Sequence, residues 1–548
     1  MSKYVIGVDF GSLSARAVLV STADGKEIAS AEYAYSHKVM NEHQICSPRA
    51  LATTALQMPE DYLDALNMTV LEVLEKSRVS PRLIGALAID FTASNILPIL
   101  NDGTPLSSLD RFKHNPHAYC KMWKHHGATE EAKILTDTAK RICPEILEPY
   151  GGIISSEWCF SKIFETLRKA PEVYHTADRF IEAGDWITMM LTGSDKRSAC
   201  FAGYKALWNR DNGYPPEEFF GAVDPELRNV VTEKMSGDVC ELGEAAGELN
   251  EYGSLLTGLD VGTKVSVAVV DAHAALPSVG AVNPGDLMII MGTSACHILI
   301  SDKDVPINGI CGRVMGGVVP GYIAFESGQP AVGDGLAWVI NNCIGSEYED
   351  EARIKNKSIY DLLNEKAEAL GVGSGGLIAL DWWNGNRSPY ADYDLSGMIL
   401  GITLSTPPEA IYRASVEAIA FGARRLVEGF ENGGITVKRI IVSGGIAKKN
   451  PFIMQMLSDV LGREILISDL KEAPAMGSAV YAAVTAGAYT SIGDAARAMA
   501  NMDFNVYTPR AEAKEKYVIL YPEYVELSEY FHKTNRVMER LRKLGKGE

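Results

Sequence analysis

The chain has 548 residues, 47% hydrophobic and 22% charged, an ordinary globular composition too long for one core, so two or more domains are expected. A net charge of −18 argues against a nucleic-acid partner, which wants a basic face, but leaves room for a small anion held by a few local donors. The nine cysteines (Cys46, Cys120, Cys143, Cys159, Cys200, Cys240, Cys296, Cys311 and Cys343) are scattered, odd in number and without a C-x-x-C pair. That usage speaks against zinc or a disulfide framework and for a reducing cytoplasm, and neither a signal peptide nor a membrane span is expected.

The first 35 residues read as three strands, with "FGSLS" and the Asp24-Gly25 pair as the turns between them. "PEDYLDALNMTVLEVLEKSR" places Tyr62, Leu66, Val70 and Val73-Leu74 on one face of a helix opened by Pro59. "IGALAID" (84–90) is a buried strand that ends in an acid, Asp90. From about 105 to 250 the chain loses regularity and reads as an insertion of loops and short helices. "KVSVAVVDAHAAL" (264–276) returns to a buried strand and ends it on Asp271. A carboxylate there is either a helix cap before "AHAAL" or a group put to use.

A second cycle starts at "NPGDLMIIMGTSACHILIS" (283–301), which repeats the strand, Gly-Ser/Thr turn, strand plan of "KYVIGVDFGSLSARAVLVS" (3–21). A helix over 407–431, a strand over 438–445 and two more helices follow, giving an α/β architecture.

Three glycine turns each follow a strand: "DFGSLS", "MGTSA" and "SGGIAKKN". Glycine lets a backbone approach phosphate closely and aim N–H groups at it, and Ser12, Ser14, Thr293 and Ser294 add hydroxyls. Each turn alone reads equally well as a tight hairpin, and no P-loop or G-x-G-x-x-G is present. Asp9, just before the first turn, suits Mg²⁺ or its waters, or caps the turn. His114, His117, His125 and His126 lack metal-ligand spacing and read as ordinary polar loop residues.

Together, "VDFGSLSAR", "MGTS" and "VSGGIAKKN" resemble the FGGY carbohydrate kinases, over residues 3 to about 510. Four longer segments, "YGGIISSEWCFSKI", "CFAGYKALW", "GICGRVMGGVVPGYIAFESGQ" and "LDWWNGNRSP", are similar to the members that phosphorylate L-ribulose. The resemblance implies two similar actin/Hsp70-type (ribonuclease H-like) ATPase domains with a cleft between them. It places a sugar-binding N-terminal domain at 1–275, with the 105–250 insertion, and a nucleotide-binding C-terminal domain at 283–548. It implies ATP and Mg²⁺, and phosphorylation of L-ribulose to L-ribulose 5-phosphate in L-arabinose catabolism. Asp271 would be the general base that an alcohol nucleophile requires.

The resemblance assigns the sugar to Ala93, Trp123, Lys205, Asp271 and Glu326, and the nucleotide to Gly11, Ser12, Ser14, Gly292, Thr293, Ser294, Gly444, Gly445, Lys449 and Asn450, with Asp9 on the metal side. "AMGSAVYAA" (475–483) is similar to the family's tightly packed closing helix. Leu13, and "DFTASNILP" as a whole, depart from some relatives and bear on substrate preference. The expected partner is a small ketopentose, without nucleic acid or membrane, and a homodimer is left open. The competing readings are a kinase for D-ribulose, xylulose or a pentitol, an Hsp70- or actin-like ATPase driven by a binding partner, and a silent sugar sensor.

Overall fold

Strands buried on both faces need apolar residues at every position rather than alternately. Val5, Ile6, Val8 and Phe10 meet that need: all are fully buried, and they build the Tyr4–Phe10 strand at the heart of the first half of the chain. The computed structural model describes residues 3–41, 45, 54–235 and 237–546, and Cys46 lies outside them.

The described chain divides into two units. The first comprises residues 1–283, 312–324 and 470–502; the second comprises 284–311, 325–469 and 503–548. Both are discontinuous: the "AMGSAVYAA" helix, which lies late in the sequence, belongs to the first unit.

In the first unit the main sheet runs Ala245–Glu248, Lys264–Ser266, Ile84–Phe91, Tyr4–Phe10, Ser14–Ser21, Glu27–Ala34. Tyr4–Phe10 and Ile84–Phe91 are parallel, and the hairpins after Tyr4–Phe10 are antiparallel. Helix Pro59–Ser77 packs on the two hairpin strands, and helix Ala473–Thr485 packs on the two parallel ones. The second contact is so close that only glycine fits. A Cβ on Gly7 would lie 1.9 Å from the Ala475 carbonyl oxygen, and one on Gly477 would lie 1.6 Å from that of Ala274. The expectation that this helix packs tightly through small residues is met.

The strand expected over "KVSVAVVD" is broken in two, Lys264–Ser266 and Val269–Val270, both parallel to Ile84–Phe91. Val265 pairs with Leu87 but Val269 with Asp90, so this strand carries one more residue than its partner between those pairs. Such a bulge leaves no mark in an apolar run, but it re-aims the residues beyond it, here Asp271.

The insertion is more ordered than its sequence suggests. It holds helices Thr129–Ile142, Cys159–Lys169 and Ala183–Thr192, and a sheet that pairs Leu56–Gln57, Cys120–Lys121, Ile96–Ile99 and Arg179–Glu182. Its core is aromatic, with Phe160, Phe164, Tyr174, Phe219 and Phe220 buried, and the Phe160 and Phe220 ring centroids 4.6 Å apart. Strands of two to four residues are too short to show a period, which is why the segment reads as irregular.

The second unit repeats the plan. Its sheet runs Ile323–Gln329, Ala295–Ser301, Asp286–Met291, Arg439–Ser443, Ile465–Ser468, Phe504–Tyr507, and the long helix Pro408–Asn432 is buried on every side from Tyr412 to Ala423. No described cysteine forms a disulfide, and no described helix is long and apolar enough to cross a membrane.

Candidate active site

Ligand sites in α/β sheets form at the carboxyl ends of parallel strands. The first unit places three carboxylates there. Asp9 is the penultimate residue of Tyr4–Phe10, Asp90 the penultimate residue of Ile84–Phe91, and Asp271 comes directly after Val269–Val270. Asp9 pairs in register with Asp90, and Asp90 with Val269, so the three acids sit at the ends of adjacent strands. Asp271 is the first residue of helix Asp271–Ser278 and not its cap, a position held by Val270. Its Oδ1 accepts the Ala272 amide at 2.7 Å.

Asp90 is fully buried, and burial together with the charges of Asp9 and Asp271 pushes its pKa well up. Burial also raises Asp9, against the opposing effects of its hydrogen bond to Asp90 and of Arg16. The two acids stand opposite each other on paired strands, and burial favours the protonated form of both. The Ser478 hydroxyl donates to Asp90 Oδ2 at 2.6 Å, and Arg16 holds Asp9 Oδ2 at 3.4 Å while bridging to Glu32 at 2.9 Å and Glu472 at 3.6 Å. Sequence reasoning marks Asp90 as an acid ending a strand and gives it no role. The same signal that singles out Asp271 applies to it.

The donor set around Asp9 suits Mg²⁺, which is held by one or two carboxylates, phosphates and waters rather than by a full protein cage. Among the described residues no cluster of three or more His, Cys, Asp or Glu could hold a metal by itself. The four histidines do not converge on a site. His125, expected as a polar loop residue, is buried: its Nε2 lies 2.9 Å from Glu165 Oε2, which also accepts Lys121 Nζ at 2.7 Å. Burial there forces a charge-paired partner that loop composition does not reveal.

Two expected sets meet in this unit. The Trp123 indole N–H, from the sugar set, donates to the Ser12 hydroxyl oxygen, from the phosphate set, at 3.1 Å. Trp123 is steadied by its backbone amide, which donates to Asn95 Oδ1 at 2.8 Å; Gln57 Nε2 donates to the Ser12 carbonyl at 2.9 Å. Ala93 is half-buried just past the Ile84–Phe91 strand. Lys205 ends helix Ala199–Lys205, with Nζ 5.9 Å from the Tyr204 ring centre; Tyr204 in turn packs on His273 at 4.2 Å. Ser14 is occupied otherwise, its hydroxyl donating to Glu32 at 2.8 Å.

The second unit assembles the other turns. The Gly292 amide closes its own turn onto the Ser294 carbonyl at 2.8 Å, as the Gly11 amide does onto Ser14 at 3.0 Å. The glycines thus shape the turns, and any phosphate donors come from the residues after them. Val332 N bonds the Thr293 carbonyl at 2.8 Å and Gly333 N the Gly292 carbonyl at 3.1 Å, which ties this turn to helix Gly333–Cys343. Gly444 has φ +102°, and a Cβ there would lie 2.3 Å from the Met291 carbonyl oxygen, so this turn lies against the "MGTSA" strand end. Gly445 and Lys449 are exposed. Asn450 is buried and caps helix Pro451–Leu461, its Oδ1 accepting the Ile453 amide at 3.1 Å. Glu326 is buried within the Ile323–Gln329 strand.

Residues 4–277 match the N-terminal domain of the FGGY family of carbohydrate kinases, and residues 287–486 match its C-terminal domain. A protein from Bacillus licheniformis named ribulokinase is 45% identical over 537 residues, 97% of each chain. One of the same name from Halalkalibacterium halodurans is 43% identical, covering 99% of this chain and 98% of its own. Among solved structures, a xylulose kinase from Rhodospirillum rubrum superposes with a TM-score of 0.77 at 21% identity, covering 97% of this chain and all of its own. A Plasmodium falciparum glycerol kinase with ADP gives 0.73 at 17%, covering 95% and 97%. These two show that the α/β fold expected from the sequence is shared with sugar kinases. The chain belongs to the FGGY family of carbohydrate kinases and is a phosphotransferase that acts on a sugar.

Proposed function

We propose that the enzyme phosphorylates L-ribulose at its terminal hydroxyl, consuming ATP and giving L-ribulose 5-phosphate, a step of L-arabinose use in the cytoplasm. The substrate is inferred from the relatives named ribulokinase, which match nearly the whole chain. The observation that carries the chemistry is the launch of Asp271 from a bulged strand beside Asp90, which pairs in register with Asp9. Asp271 takes the proton of the attacking hydroxyl, because an alcohol is a poor nucleophile until a base relieves it of that proton. Trp123 and Ala93 wall the sugar, and Lys205 and Asp271 bind its hydroxyls.

In this reading the second-unit turns at Thr293, Ser294 and Gly445 bind phosphate and nucleoside, with Lys449 alongside. Asn450 contributes by fixing its turn. Asp9 would hold Mg²⁺, which when bound would supply neutralisation of phosphate charge. Phosphoryl transfer otherwise rests on positioning.

The test is ADP release with Mg-ATP across L-ribulose, D-ribulose, L- and D-xylulose, ribitol, L-arabitol and glycerol, beside Asp271→Asn. L-ribulose should give the highest kcat/KM, and the variant should lose about 10²–10⁴-fold in kcat while still binding sugar. A different best sugar overturns the substrate. ADP release that no sugar stimulates overturns the mechanism and favours a partner-driven ATPase.

A further inference from the structure

Lys162 lies on helix Cys159–Lys169 and is 1% exposed, an expensive place for an ammonium group. Burial drags its pKa down to about 8, although Glu182, Glu157, Cys120 and Cys159 act in the opposite direction. Its neighbour in space, Lys121, is equally buried but has a carboxylate, Glu165, at 2.7 Å. Lys162 instead places its Nζ among backbone carbonyls: Ser94 at 2.5 Å, Met122 at 3.0 Å and Lys121 at 3.4 Å. The two lysines are reciprocal, since Lys121 Nζ also donates to the Lys162 carbonyl at 3.2 Å.

The carbonyls matter because of their neighbours in the chain. Ser94 comes after Ala93 and Met122 precedes Trp123, the two residues that wall the sugar in the proposed site. Ser94 is held at φ +65°, a left-handed conformation that a residue with a Cβ adopts only under constraint. One ammonium therefore joins the two wall segments, three donors on one atom meeting carbonyls from both. An apolar side chain of the same length would fill the space without the desolvation cost, but it could not fix the distance between the segments.

We propose that Lys162 is a positioning residue that sets the spacing of the Ala93 and Trp123 walls and thereby the fit of the sugar. This inference rests on the site reading above and adds a residue to it.

The test compares Lys162→Met, which keeps the stem, with Leu167→Ala, which loosens the same helix at a buried position away from the carbonyls. With L-ribulose, Lys162→Met should raise the sugar KM about tenfold or more and flatten the preference among sugars, since small misplacements at a site cost that much. The KM for ATP should rise less than the sugar KM, because Lys162 reaches the expected phosphate set only at one remove, through the bond from Trp123 to Ser12. Leu167→Ala, at an equal loss of Tm, should leave the sugar KM unmoved. Lys162→Arg, whose planar fork cannot gather three carbonyls on one atom, should raise the KM with a smaller loss of Tm, and it serves in place of Lys162→Met if that variant does not fold.

An unmoved sugar KM in the Lys162 variants, or an equal rise in Leu167→Ala, overturns the positioning role. Trp123→Ala separates the two kinds of failure. If it raises the sugar KM and the Lys162 variants do not, only the positioning role falls. If it too leaves the KM unmoved, the site reading fails, and the inference falls with it.

Discussion

The hairpins Tyr4–Ser21 and Asp286–Ser301 are one device built twice. In each, a strand enters a glycine turn, returns antiparallel, and has a parallel strand on its other side. The side chains at matching places differ in kind. In the first unit Asp9 faces Arg16 across the hairpin and Asp90 across the parallel pair. In the second, Ile290 faces Cys296 and Ser443. The same backbone thus carries a cluster of ionisable side chains in one unit and a nearly uncharged strand end in the other. Backbone geometry alone makes a turn that can face phosphate; the reacting chemistry needs acids, and only the first copy has them at these positions.

The largest effect that could break this contrast is on turnover. Asp9→Asn should lower kcat by about 10²-fold or more, the usual scale for a lost electrostatic group at a phosphoryl-transfer site. Ile290→Ala, at the matching and half-buried place in the second unit, should instead cost about 1 kcal/mol of stability with kcat of the folded enzyme intact, less than truncation of a fully buried side chain. Steady-state kinetics beside thermal melts decide this, and equal losses of kcat in both variants would erase the distinction.

A smaller effect sharpens it. Gly477→Ala puts a methyl 1.6 Å from the Ala274 carbonyl, so helix Ala473–Thr485 must shift. A loss of about 3 kcal/mol is expected, the upper range for overpacking, with a fall in kcat because Ser478 on that helix holds Asp90. In the second unit Gly444→Ala meets both a left-handed φ and the Met291 carbonyl, and should raise the KM for ATP about tenfold while sugar KM holds. An unchanged KM for ATP would remove the "SGGIAKKN" turn from the nucleotide site.

The smallest effect lies on the pH axis. Burial raises the folded pKa of Asp185 from 3.8 to about 7, against the pull of Arg197 and the Ser198 amide. The folded state therefore binds this proton more tightly than the unfolded state. The stability it lends is full below the unfolded pKa and is lost as pH rises through about 7. Asp185→Asn, whose Oδ1 still accepts the Ser198 amide, should flatten the fall of Tm between about pH 5 and pH 8, conditions that bracket most of that window. Equal slopes of Tm against pH in the variant and the wild type would show that Asp185 is not perturbed.

Much of the molecule is legible in its residues. Val5 to Phe10 and Leu287 to Ile289 are buried runs that can only be central strands, and the glycine turns announce themselves. Asp271 stands out because a lone acid after such a run needs a reason. Lys162 does not, since it looks like one lysine in an ordinary amphipathic helix, and nothing local says that its amine meets carbonyls from positions 94 and 122. The insertion reads as irregular because its two- to four-residue strands carry no period and its core is gathered from residues far apart in sequence.

What the sequence determined by itself is the repeated hairpin, the buried strands and the acids at their ends, because burial pattern and turn chemistry are local and written in consecutive residues. Only the tertiary structure decided that residues 470–502 return to the first unit, that Asp90 is buried in register with Asp9, and that one inserted residue between Val265 and Val269 aims Asp271. Each of those depends on which distant segments share a strand edge or a buried pocket. Register, desolvation and hydrogen bonding across such gaps arise from packing, and a single chain read in order does not display packing.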